Sequence, residues 1–248
     1  MRQRESAIII EPNIWSGQKY LSNFDTATHN VEGAVVKVDH QFIFAAVAEQ
    51  RREIASLLDG LDDVQLATPS LCLGWDVKTV AAHVVSTVED GTAGFLRLAV
   101  RRGSLARAID ELAQGRAQLP TAEIVASLRR CADHPVSPPL FGPLGPLADS
   151  LVHSGDIRIP LGLPFEPDAQ LAAQAMDFLT GRWPIGFVRL GRLRGIRLSA
   201  TDVGRTWRAG ADIRGPVAAL MMSVSGRSAL LDALDGPGLP LLRHRLSD

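Results

Sequence analysis

The sequence predicts an α+β protein: a helical stretch over residues 39–181, then a small α+β unit over residues 185–248. Three observations predict this. Apolar residues recur at helical spacing from Asp39 onward, interrupted only at turn residues. Five of the 15 prolines crowd between Pro135 and Pro146, where no helix or central strand survives, so a shaped loop divides the helical part. Beyond Gly195 the spacing changes to strict alternation, the period of a half-buried strand.

Residues 1–38 mix polar residues with Pro12, Gly17 and Asn23 and show no sustained periodicity. They read as an N-terminal extension, disordered or arising from start-site choice, with Val36 or Val38 as the alternative initiator. Ile43, Val47, Ile54, Leu58 and Leu61 then mark a helix from about Asp39 to Leu58, ending near Gly60. After the turn residues Pro69, Ser70 and Gly74, Asp76 is placed to cap a second helix over about Val77–Val100. Gly91 and Gly94 weaken its middle. Residues 104–114 and 121–133 read as two further helices, each opened by a hydroxyl cap. Beyond the proline loop a helix runs from about Leu147 toward Ile159, stopped by Pro160 and Gly162. Another runs from Pro167 to Thr180, with proline at its first position. In GIRLSATD, Ile196, Leu198 and Ala200 alternate with Arg197, Ser199 and Thr201, which makes a strand. TWRAGADIRG supplies one or two more, and GPVAALMMSV reads as a helix.

Composition excludes several classes of function. The formal charge is −1, so no single-sign field exists to hold nucleic acid or an anionic membrane surface. Hydrophobic residues make up 46% of the chain, too many for a disordered protein, yet no run approaches the ~18 apolar residues of a membrane span. Aromatic residues are 5%, too few for a base-stacking platform. The two cysteines, Cys72 and Cys131, cannot build a disulfide framework and lack the spacing of a zinc ribbon. The N-terminus lacks the apolar core and cleavage site of a secretory signal. A reduced, cytoplasmic protein is the expectation.

Six histidines are available for chemistry. Stepping 100° per residue from Val77 puts His83 on the flank of the second helix, about 120° from the centre of its apolar stripe. Asp149 and His153 are four apart on the helix after the proline loop, one turn above each other and separated by a rise of about 6 Å. Both can point at one metal ion, and His83 from another helix would complete a set of two nitrogens and an oxygen suited to zinc or a similar divalent ion. The same residues have blander readings. A D-x3-H pair is also what a solvated face or an ion pair looks like, and a flank histidine is often a satisfied surface residue. Cys72 before a helix can be reactive or merely buried. His134 reads as an exposed loop residue more readily than as a base.

The stretch TPSLCLGWDVKTVAAHVV resembles the first signature of the mycothiol-dependent maleylpyruvate isomerase-like family: Cys, Pro, Gly, Trp, a hydroxyl residue, Val and a later His. LADSLVHSGDIRIPLGLP resembles its second: an acidic residue, His, Asp-Ile-Arg and Pro-Leu-Gly. The tail from Ala200 to Leu239 resembles its C-terminal unit, so the likeness spans residues 39–248. It implies a DinB-like four-helix bundle followed by the small α+β domain. It implies a divalent metal, usually zinc, held by the residues at the motif positions, here His83, Asp149 and His153. Asp149 stands where Glu is frequent, and Leu73 where Pro is usual. Asp156, Arg158 and Trp75 also match, Asp156 as an orienting residue for His153 or Arg158. Arg158 is a candidate anion clamp, and Trp75 a packing anchor that can also line the thiol pocket; these two are the candidate cofactor contacts. The implied activity is a metal- and mycothiol-dependent isomerase or S-transferase acting on a small electrophile, with the proline loop shaping the substrate mouth. A metal-dependent hydrolase and a non-catalytic binding module are the alternatives. The expected partners are a small substrate and a low-molecular-weight thiol, with no nucleic acid and no membrane, in a monomer or weak homodimer.

Overall fold

The computed structural model describes residues 39–137, 142–182, 184 and 186–247. The N-terminal extension and the tip of the proline loop lie outside the described residues. His40–Asp248 forms one compact unit.

Helix α1 (His40–Asp59) buries Ile43, Val47, Ile54 and Leu58, the spacing that predicted it. A short helix α2 (Asp63–Leu66) follows. Asp62 closes a reciprocal capping box with Gln65. Helix α3 (Val77–Glu89) starts where expected, its Asp76 carboxylate accepting from the Thr79 amide at 2.7 Å. It does not run on to Val100. The chain breaks at Asp90 and resumes as α4 (Gly91–Arg102), so the glycine-weakened middle is a junction. Arg116 bonds both Glu89 and Asp90 there, which anchors the break. Helix α5 (Leu105–Ala117) is capped by the Ser104 hydroxyl. Helix α6 (Thr121–Cys131) has Pro120 at its cap, so Thr121 is its first residue and not its cap.

Helix α7 (Leu144–Arg158) begins inside the proline-rich stretch and takes in Pro146. A proline in a first turn loses no helical bond, because the amides there have no partner within the helix. Helix α8 (Ala169–Leu179) is capped by Asp168, so Pro167 lies outside it. Then come β1 (Ile196–Ala200), β2 (Arg205–Trp207) and β3 (Ala211–Gly215), in sheet order β2-β1-β3. β1 pairs antiparallel with β2 and parallel with β3. Helix α9 (Val217–Val224), a single 3-10 turn at Leu231–Ala233 and α10 (Leu239–Ser247) complete the chain.

Helices α1, α3, α6 and α7 form a closed bundle, each of α1 and α3 packing on both α6 and α7. Its core joins Ile54 and Leu58 to Val80, Val84, Leu128 and Ile157. A second core joins Ile43 and Val47 of α1 and Leu147 and Leu151 of α7 to α8, the sheet and α9. Helices α1 and α7 thus belong to both cores, which ties the C-terminal α+β part to the bundle. The close seam between α7 and α9 depends on Gly155, where a Cβ would fall 2.8 Å from Met222 and 2.9 Å from Phe165. Among the described residues no helix is long and apolar enough to cross a membrane.

Candidate metal centre

Helices α3 and α7 pack against each other, and this contact carries the site. His83 comes from the middle of α3, and Asp149 and His153 come from successive turns of α7. Both histidines are buried, so His83 is more enclosed than its flank position suggests. His83 Nε2 lies 3.7 Å from Asp149 Oδ1, and His153 Nε2 lies 3.4 Å from the same oxygen. One donor atom from each residue falls within 4.8 Å of the others. The imidazole rings meet edge to face, 4.9 Å between centroids.

The tautomer of His153 is set from behind. Its Nδ1 lies 2.9 Å from Asp156 Oδ2, and Asp156 is fully buried. Arg227 grips that carboxylate with two bonds, Nε to Oδ1 at 2.8 Å and Nη2 to Oδ2 at 2.6 Å. The Cys72 thiol donates to Oδ2 at 3.0 Å and accepts from Arg227 Nη2 at 3.1 Å. Burial opposes the charge on Asp156, but His153 and Arg227 outweigh it and hold its carboxyl below the usual range. An ionised Asp156 can only accept, so Nδ1 carries the proton and the Nε2 lone pair faces Asp149.

That geometry leaves a conflict which a cation resolves. A lone pair 3.4 Å from a carboxylate oxygen is repulsive unless a proton or a metal ion lies between them. In the bare protein a proton answers this. Burial disfavours the imidazolium of His153, yet Asp149 raises its pKa well above the ordinary value. Burial likewise opposes ionisation of Asp149, and the two histidines outweigh it. The donor set equally fits a metal. Two ligands at about 2.05 Å and a tetrahedral angle stand about 3.3 Å apart, close to the 3.4 and 3.7 Å found here.

Trp75 packs its ring on His83 at 5.1 Å between centroids, while its indole N–H donates to Asp110 of α5 at 2.8 Å. His83 Nδ1 is buried without a hydrogen-bond partner among the described residues, so ring packing holds this histidine where a carboxylate holds His153. Arg158 lies elsewhere. Its Nε donates to Ser154, its Nη2 is 4.0 Å from Glu53, and it lines a cavity of about 510 Å³ with Phe42, Glu49 and Phe165 that does not include the histidines. His134 lies in the segment after α6, its carbonyl accepting from buried Arg51. Arg227 escaped the sequence reading: it is 71 residues from Asp156, and no spacing signal links them.

Residues 47–136 match the family model described as "Mycothiol maleylpyruvate isomerase N-terminal domain". Over that stretch the chain is similar to this family. The match includes His83 and Trp75 and stops before Asp149. No curated protein matches the chain in sequence. Among solved structures, the mycothiol-dependent maleylpyruvate isomerase is similar at 12% identity and a TM-score of 0.46, over 80% of this chain and 91% of that one. A histidine-to-alanine mutant of that isomerase is similar at 11% identity and a TM-score of 0.48, with the same coverage. Both likenesses are distant, and the functional reading rests on the side chains described above.

Proposed function

We propose that the protein is a metal- and mycothiol-dependent isomerase or S-transferase acting on a small electrophile, with His83, Asp149 and His153 as metal ligands. The observation that carries this reading is the convergence of the two Nε2 atoms on one carboxylate oxygen, at 3.4 and 3.7 Å, with the His153 tautomer fixed. The similarity of residues 47–136 to the mycothiol maleylpyruvate isomerase domain supports the thiol class.

A divalent ion there, zinc by its nitrogen and oxygen ligands, would supply charge that makes a bound thiol a thiolate at neutral pH. The chain's own residues do the rest. Asp156 orients His153 and raises its basicity as a ligand. Arg227 keeps Asp156 ionised, and Cys72 fills its remaining acceptor capacity. Trp75, fixed by Asp110, screens the ring of His83 on one side. Burial of the two histidines, with Asp149 partly buried between them, keeps the local dielectric low, which strengthens each of these interactions.

The test is elemental analysis of purified protein, followed by conversion of an electrophile with and without mycothiol. About one divalent ion per chain is expected, lost in His153→Ala and in Asp149→Asn, with turnover only when the thiol is present. Unchanged metal content in both variants would overturn the ligand assignment. Turnover without thiol would replace the transferase by a hydrolase.

A further inference from the structure

The loop over residues 187–195 carries Arg189, Arg192 and Arg194 within six positions. Arg245 staples it, donating from Nη1 to the Arg192 carbonyl at 2.7 Å and the Arg194 carbonyl at 2.8 Å. The Arg192 guanidinium lies under the turn after α9, where Nη1 donates to the Val224 carbonyl at 3.2 Å. The fit is close. A Cβ on Gly226 would fall 2.9 Å from Nη1, and Gly226 has φ of +99°, so glycine serves this approach twice over.

A second nitrogen of that half-buried guanidinium is unsatisfied. Among the described residues the buried Arg192 Nε has no partner, and the same holds for Ser225 Oγ on the adjacent turn. Among the described residues no carboxylate lies within 4.0 Å of Arg189 or Arg192. Arg227, one residue beyond Gly226, has its charge committed to Asp156. Burial, then the like charges of Arg189 and Arg227, lower the pKa of Arg192. A guanidinium does not shed its proton near neutrality, so the charge cannot escape by titration. Packed beneath a turn beside like charge, and offering a planar fork of donors, it lacks only a counter-ion.

We propose that Arg192 and Arg189, with the turn at Ser225–Gly226, form a binding site for the oxyanionic end of a small molecule, a carboxylate or a phosphate. The site contains none of residues 83, 149 and 153, and its test does not require that they hold a metal. Arg192 supplies the half-buried guanidinium and Arg189 the exposed outer charge, while Arg227 raises the local potential without leaving Asp156.

Titration calorimetry and thermal unfolding of the full chain test this, with inorganic phosphate and succinate as separate probes and sodium chloride at matched ionic strength as control. Saturable binding of at least one probe beyond the chloride control is expected. Arg192→Gln should weaken it tenfold or more. Among the described residues the Arg189 side chain has no hydrogen-bond partner, so Arg189→Gln keeps the test decisive if the first variant fails to fold; it should weaken binding several-fold. Binding of phosphate alone assigns a phosphorylated ligand, and binding of succinate alone a carboxylate. No saturation by either probe, or undiminished affinity in Arg189→Gln, overturns the proposal.

Discussion

Replacing Asp156 with Asn is the sharpest perturbation the structure offers. The side chains are nearly isosteric, so packing is preserved and only charge and hydrogen-bond polarity change. Asp156 is fully buried and accepts from Arg227 twice, from His153 and from Cys72. The Asn carboxamide has one oxygen to offer and turns an N–H₂ group toward at least one of those donors. Arg227, with a side chain only 16% exposed, is left without its counter-ion. Breaking a buried pair by removing one partner costs about 3–5 kcal/mol. For a chain of this size, at about 2–4 °C per kcal/mol, the melting temperature should fall by roughly 6–20 °C. His153 loses its orienting acceptor, so metal affinity should fall by about 10–100-fold. Thermal unfolding followed by circular dichroism measures the first effect, and chelator competition the second. The double variant Asp156→Asn with Arg227→Met should be less destabilised than the single one, because the stranded charge is gone. A single variant within about 1 kcal/mol of the parent, or a strictly additive double variant, would refute the argument.

Three further outcomes are expected. Gly155→Ala should cost about 1–3 kcal/mol in urea unfolding, because the new methyl meets Met222 and Phe165 under 3.0 Å; an unchanged midpoint would show that this seam yields. Burial raises the carboxyl of Glu89, but hydrogen bonds from Arg130 and Arg116 outweigh it and leave its pKa below the ordinary 4.5. The stability it confers is therefore present above that value and lost as pH falls through the lowered one, so Glu89→Gln should be destabilised at pH 7 and level with the parent under strong acid. An equal gap at both ends of a urea-midpoint series would contradict this. Trp75→Ala should weaken metal affinity about tenfold, and Trp75→Phe, which keeps a ring over His83, by much less; equal losses would mean that the bond to Asp110 matters more than the ring.

Much of the fold was legible because most helices carry their own punctuation. Asp76 and Ser104 cap where side-chain chemistry says they should. The misreadings have separate causes: a distant partner overrules the local signal in one case, and the local signal is misjudged or missing in the others. The break at Asp90 is held by Arg116, 26 residues away, and a propensity argument sees only two weak glycines. The start of α7 was hidden because proline was counted against a helix, although in a first turn it displaces nothing. Helix α10 has one fully buried position, Leu242, and so gives almost no periodic signal.

The site divides along the same line. Asp149 and His153 were legible together because i and i+4 share a face of any helix, and His83 because a family signature marks it. Arg158 matched the second signature, which also holds His153, yet its position five residues after His153 turns it away, toward Ser154 and Glu53. Arg227 could not be paired with Asp156 by any local rule. Its place has a structural consequence. The carboxylate that sets the His153 tautomer belongs to the bundle, while the cation that keeps it ionised arrives from the segment after α9. Without that segment Asp156 would lose its two strongest donors, and His153 would share a proton with a carboxylate free to take one up. The C-terminal unit therefore completes the site electrostatically, although it contributes none of the three converging donors.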